Sequence, residues 1–350
     1  MEKINAGLIG YGMAGQLFHA PFLYELPGFN LAKIYTTNPN SVALANRRYP
    51  ETTIVDQVTD IINDAAIDVV FVLTPNVLHF ELAKAALLAG KHVVIDKPIT
   101  STVAQADELI ALAKKTGKLL TVYQNRRFAS DYKTAKKLVE SGVLGKIVEF
   151  SSCFDRFVPT IRPKKWKEEG FDSGVLYDLG AHQIDQILQL FGMPLEVTAN
   201  IRYQRENTKI DDYYMLTLQY PELTVYLHSG MLVKAPGPVF LIQGTQGAFI
   251  KYGMDIQEGE LDKGKKPVGD DWGKEPQSLW GTLKTSLHGL PLTATIESER
   301  GDYMDFFINL RDAINGNCPL AVNPEDSRNV VKIIELAFQS AKEKRTVAVK

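Results

Sequence analysis

The chain has 350 residues, 45% hydrophobic and 23% charged, with a net charge of −2. That length predicts two domains with ample core, and the near-zero charge excludes the basic footprint of a nucleic-acid or membrane-surface binder. The two cysteines, Cys153 and Cys318, fit no metal or redox spacing and read as free thiols in a reducing compartment, so no metal site is expected. With no charged-then-apolar leader and no apolar run of spanning length, the expected location is the cytoplasm.

An apolar run (Ile4, Ala6, Leu8, Ile9) enters Gly10-Tyr11-Gly12-Met13-Ala14-Gly15. A buried strand, a tight turn and a helix N-terminus together form a site for a dinucleotide pyrophosphate. Gly10 suits the sharp turn, Gly12 has no Cβ to hold a phosphate away, and Gly15 lets the helix pack closely on the strand. The helix is expected to run towards Leu26 with a bend at Pro21. Strands follow at Phe29–Thr37, Thr53–Val55, Val69–Thr74, His92–Ile95 and Leu119–Tyr123. Helices lie between them at Asn40–Tyr49, His79–Ala89 and Thr102–Thr116. The continuous β-branched run at 69–74 suits a strand covered on both faces. The alternation predicts an α/β fold: a doubly wound parallel sheet of Rossmann type over residues 1–123.

After residue 123 the pattern changes. One more helix, Asp131–Ser141, precedes strand-like alternation at 147–150, 196–203, 213–219, 224–228, 239–243 and 248–251, with a helix at Val175–Phe191 between. This predicts a second domain, 124–350, of α+β type with a large, mostly antiparallel sheet for substrate binding and oligomerisation. Gly253–Gly289, rich in Gly, Lys and Asp, reads as a long excursion of the kind that forms a lid. Helices near Asp302–Asn315 and Pro324–Lys344 close the chain.

In open parallel sheets, ligands bind beyond the carboxyl ends of the strands. After the second strand, NAD-specific sites carry an acid about 20 residues past the glycines, for the ribose hydroxyls. Here the segment holds Thr36 and Thr37 and no acid, which favours NADP and leaves NAD open; Arg47 and Arg48 lie on the next helix. Thr74-Pro75-Asn76-x-x-His79 offers donors to ribose or phosphate, and equally reads as a helix start with a structural histidine. Lys97, in Asp96-Lys97-Pro98 at a strand end, suits the stabilisation of charge on a substrate oxygen. Asp178 and His182 are one helical turn apart, and Asp185 extends the stripe. That stripe is either a solvated polar face or a base with its carboxylate partner. Gly180 inside the helix costs about 1 kcal/mol relative to alanine and suggests a close approach to the backbone.

Four motifs in order resemble the Gfo/Idh/MocA oxidoreductases, the glucose–fructose oxidoreductase and inositol dehydrogenase family: the glycine turn, the T-P-N-x-x-H loop, the acid-Lys-Pro turn and D-x-x-x-H. The resemblance implies that Lys97, Asp178 and His182 form the catalytic set, and that these residues with Asn125 and Arg126 meet the substrate. It places the cofactor against Gly10 to Gly15, Thr36, Thr37, Thr74, Pro75, Asn76, His79, Lys97 and Trp166 of a Lys165-Trp166 pair. Asp96 stands where the family usually has Glu. Phe18-His19-Ala20-Pro21 and the run Tyr123 to Arg127 resemble a subgroup that includes NADP-linked scyllo-inositol dehydrogenases. The implied activity is hydride transfer between NAD(P) and a secondary alcohol of a cyclic polyol or sugar, by a homodimer or homotetramer. An NAD-dependent glycosidase acting by transient oxidation and a non-enzymatic redox sensor are the alternatives.

Overall fold

The protein was analysed as a computed structural model in which residues 3–161 and 169–350 are described. It divides into two compact units.

The first unit holds β1 (Ile4–Ile9), β2 (Phe29–Tyr35), β3 (Thr53–Val55), β4 (Val69–Val72), β5 (His92–Asp96) and β6 (Leu120–Tyr123). They pair in parallel in the order β3-β2-β1-β4-β5-β6, the doubly wound order with its switch point between β1 and β4. β4 is buried along its whole length, as its unbroken apolar sequence requires. Pro21 does not bend a continuing α-helix. The chain leaves the glycine turn in a wide π-helical turn, Ala14–His19, and Pro21 sits in the first turn of the α-helix Ala20–Glu25. A missing N–H costs least at that position.

This unit also takes in Gln257–Trp272 and Tyr303–Arg328, which the division at residue 123 assigns to the second domain. The reason is aromatic packing. Phe307 stacks on Phe22 at 5.1 Å, and Trp272 meets the same ring edge-on at 6.3 Å. Strand–helix alternation is a local signal and carries no trace of these returns.

The second unit is built on nine strands: β7 (Ile147–Cys153), β8 (Glu196–Arg202), β9 (Tyr213–Gln219), β10 (Thr224–Gly230), β11 (Phe240–Gly244), β12 (Gly247–Lys251), β13 (Gly281–Leu287), β14 (Leu290–Ile296) and β15 (Val347–Ala348). Among the described residues, only β7 and β10 pair in parallel, and every other pairing is antiparallel. The helices cover one face, where Phe150, Tyr214, Leu216, Leu227, Phe240 and Ile333 form the centre of the core. Gly253–Gly289 is not a structureless excursion. It contributes the helix Gln257–Asp262 to the first unit and, with β13, most of an edge hairpin completed by β14 to the second. Its Gly and Lys content hides the alternation of β13. Among the described residues, no helix is long and apolar enough to cross a membrane.

Candidate cofactor and catalytic site

In the first unit, the three glycines have different reasons to be glycine. Gly10 has φ +112°, and a Cβ there would lie 2.6 Å from the Leu73 carbonyl oxygen. At Gly15 a Cβ would lie 2.6 Å from the Gly10 carbonyl oxygen. At Gly12 a Cβ would meet nothing within 4 Å. Protein packing therefore demands the first and third, while the second keeps open space bare. Met13 makes no side-chain cap to the turn that follows, so the first N–H groups are not taken by a capping oxygen. Bare space before uncapped N–H groups fits a pyrophosphate. Tyr11 points inward against Tyr49, and Met13 is exposed.

At the end of β2, Thr36 is buried and Thr37 exposed, while the Asn38 side chain caps the helix Pro39–Arg48. Arg48, on the last turn of that helix, donates from Nη1 to the Gln16 carbonyl at 3.4 Å. It thus reaches the turn that follows the glycine loop.

The loops after β4 and β5 are tied by one ring. His79 is fully buried, with Nδ1 2.8 Å from the Pro98 carbonyl oxygen and Nε2 2.9 Å from that of Thr74. One ring nitrogen thus faces each loop. Pro75 and Asn76 begin the short turn that leads into the His79 helix. Asp96 ends β5, accepts from the Lys97 N–H at 3.1 Å and lies 3.9 Å from His19 Nε2. Burial pushes this carboxyl up, but His19, with the charges of Lys97 and His79, outweighs it and holds the carboxyl below its usual range. Lys97 follows, half-buried, joined to Pro98 by a cis peptide. Asn125, buried, opens the turn after β6.

In the second unit, a π-helical turn, Leu176–Gly180, runs into the α-helix Ala181–Phe191. The polar stripe is not a solvated face: Gln183, Asp185 and Gln186 are at most 2% exposed and His182 is 8% exposed. Each neighbour has its own anchor. Gln183 donates to the Ser152 carbonyl at 2.9 Å and accepts from the Tyr214 hydroxyl. A Cβ at Gly180 would lie 2.6 Å from Leu176 Cδ1 and 3.4 Å from the Tyr214 ring, so the Leu176 side chain would have to shift to admit one. Asp185 takes a two-pronged ion pair from Arg127, at 2.7 and 2.6 Å. That pair ties Asp185 to Arg127; Asp178 lies half-buried in the π turn, one helical turn before His182. Arg126 is buried, its carbonyl accepts from Gln186, and its charge acts on buried Asp131. Lys165 and Trp166 lie outside the described residues.

Two further residues shape the π turn. Asp211 accepts from the Leu176 N–H at 2.8 Å and fills the place of a Gly174 Cβ, so that Gly174 can only be glycine while Asp211 stays. Neither residue belongs to a recognisable spacing. Burial pushes the Asp211 carboxyl up to about 6 from 3.8. The folded state therefore holds this proton where the unfolded chain has lost it, and stability falls as pH rises from about 4 to 6. The accumulated penalty is on the order of 3 kcal/mol above that window. In Asp211→Asn, urea unfolding measured across pH 4–6 is expected to show a shallower decline. The decline should not vanish, because buried Asp131 is also pushed up to about 6. An unchanged slope would remove Asp211 from this role.

Comparison with known proteins agrees with this architecture. The oxidoreductase-family NAD-binding Rossmann fold matches residues 4–124, and the family's C-terminal alpha/beta domain matches residues 136–349. A scyllo-inositol 2-dehydrogenase (NADP+) of Bacillus subtilis is 41% identical over 347 residues, 99% of this chain and 96% of its own. An oxidoreductase of Escherichia coli K12 is 40% identical over 347 residues, 99% of each chain. A solved oxidoreductase structure from Bacillus subtilis has a TM-score of 0.96 at 41% identity and covers 100% of this chain and 99% of that one. With both domains matched and a glycine turn at the end of β1, the chain belongs to the Gfo/Idh/MocA oxidoreductases and works on a small molecule with a nicotinamide dinucleotide.

Proposed function

We propose that this protein catalyses reversible hydride transfer between NADP and a secondary alcohol of a cyclic polyol or sugar of the inositol type. The observation that carries this reading is the buried helix Ala181–Phe191, where Gln183 and Asp185 are spent on anchoring. His182 and Asp178 stand one helical turn apart where the π turn Leu176–Gly180 runs into that helix, the spacing a base and its carboxylate require. The nicotinamide, when bound, accepts the hydride from the carbinol carbon. His182 takes the hydroxyl proton, Asp178 orients or supplements the imidazole, and Lys97 donates to the substrate oxygen as charge develops. Asn125 and Arg126 contact the other hydroxyls. The relative named for scyllo-inositol and NADP+ supports the substrate class and the cofactor.

For NADP over NAD, the support is the acid-free segment after β2, with its hydroxyls, and the reach of Arg48 to the Gln16 carbonyl. A charge-assisted contact to a 2′-phosphate is worth about 1.5–3 kcal/mol, so kcat/KM is expected to favour NADP+ by about tenfold or more. A panel of inositols and sugars assayed with both dinucleotides checks this. Preference for NAD+ would overturn the cofactor, and no turnover on any polyol would overturn the substrate class.

The free cysteines suit a reducing cytoplasm. The sheet face away from the helices carries Met215 at 43% and Tyr226 at 37% exposure, which suits pairing into a homodimer or homotetramer. A monomer in light scattering would overturn that.

A further inference from the structure

The same open face holds a cluster that the oxidoreductase reading does not use. Successive side chains of a strand point to opposite faces. Ser152 is buried and bonded to Gln183 on the helix side, so Cys153 faces the other way. Leu227 is in the core, so its neighbour His228 also faces away. β7 and β10 are the parallel pair, and their register sets Cys153 directly against His228. Asp155, two residues past Cys153, folds back so that its Oδ1 lies 2.8 Å from His228 Nδ1 and accepts from the Gly230 N–H at 3.0 Å. One ligand atom from each of Cys153, Asp155 and His228 lies within 4.8 Å of the others, and all three residues are half-buried.

We infer that Cys153, Asp155 and His228 bind one divalent transition-metal ion of borderline softness, with Zn2+ the preferred occupant. Thiolate, imidazole and carboxylate are the donor types this ion takes, and three protein ligands leave a fourth position for water. Thiolate and imidazole favour it over Mg2+ or Ca2+, which require oxygen donors. Two of the ligands stand on paired strands and Asp155 is held by a backbone N–H, so little ordering remains to be done on binding. The thiol proton and the proton shared by Asp155 and His228 leave to solvent as the ion enters. The expected absence of a metal rested on spacing along the chain. That test cannot see a site whose third ligand comes from a strand 75 positions away in the register. The sheet lies between this cluster and helix Ala181–Phe191, so the ion ties β7 to β10 and takes no part in hydride transfer.

The test uses the untagged full-length chain, stripped with a chelator and titrated with Zn2+ and, separately, Co2+. One ion per chain is expected, with a thiolate-to-cobalt charge-transfer band in the near ultraviolet. The band should be lost in Cys153→Ser and the ion bound more weakly in His228→Gln. In the wild-type chain, Zn2+ should slow maleimide alkylation of Cys153 by about tenfold or more, because metal-bound thiolate is a poor nucleophile. Cys318, half-buried in the other unit, is the internal reference. Peptide mass spectrometry reads both sites and stays decisive even if a variant fails to fold. No charge-transfer band, or equal alkylation of Cys153 with and without Zn2+, would overturn the site.

Discussion

His182→Ala is expected to lower kcat by about two to four orders of magnitude, the usual contribution of a positioned general base. The dissociation constant for NADP+ and the unfolding midpoint should stay near wild type. The distinction matters because the side chain is buried, and a buried histidine is more often structural. The anchors of its helix are known: Gln183 on Ser152 and Tyr214, and Asp185 on Arg127. Removing His182 leaves these in place. A base should also show in the pH profile, where the basic limb of kcat for alcohol oxidation depends on His182 and shifts or disappears in the variant. Turnover within about threefold of wild type would remove His182 from the chemistry.

The glycine turn gives the second large effect, as a contrast between neighbouring positions. Gly12→Ala adds a methyl that meets nothing within 4 Å, so the fold should keep its stability. The methyl instead stands where a phosphate must approach backbone N–H groups, and dinucleotide affinity is expected to fall by about tenfold or more. Gly10→Ala should do the reverse first. Its Cβ would clash with the Leu73 carbonyl at 2.6 Å, at a φ of +112° that alanine rarely adopts. Strain of roughly 1–3 kcal/mol should lower the unfolding midpoint before any binding is measured. Calorimetry of both variants, with NADP+ titrations of the folded ones, checks this. A Gly12→Ala protein that binds NADP+ like wild type would remove that space from the cofactor site.

Much of the architecture is legible because its causes are local. β9 appears where period-two alternation puts it, and β3 falls on Thr53–Val55 as expected. The ends drift where the cause is not local: β4 stops at Val72, short of Thr74, because the chain must turn there to bring the Thr74 carbonyl to His79. β14 and β15 carry almost no pattern in the sequence, being an exposed edge strand and a two-residue strand. The wide turns at Ala14–His19 and Leu176–Gly180 carry none either, because a π turn has no sequence signature of its own.

By itself, the sequence determined the alternating parallel sheet, the glycine turn at the end of its first strand, and the order of the motifs that mark the family. These follow from spacing within one or two turns of chain, which is where backbone sterics and side-chain periodicity act. Only the tertiary structure decided which polar residues are spent. Asp178, His182 and Asp185 look equivalent along one stripe until Arg127 claims the last of them. His79 reads equally as a cofactor contact or a structural histidine along the chain, and only the fold sets its two nitrogens against two loop carbonyls. Cys153 looks solitary until β10 brings His228 beside it. A buried polar group is defined by the partner that offsets its desolvation, and that partner is chosen by the fold, from residues far away in the chain.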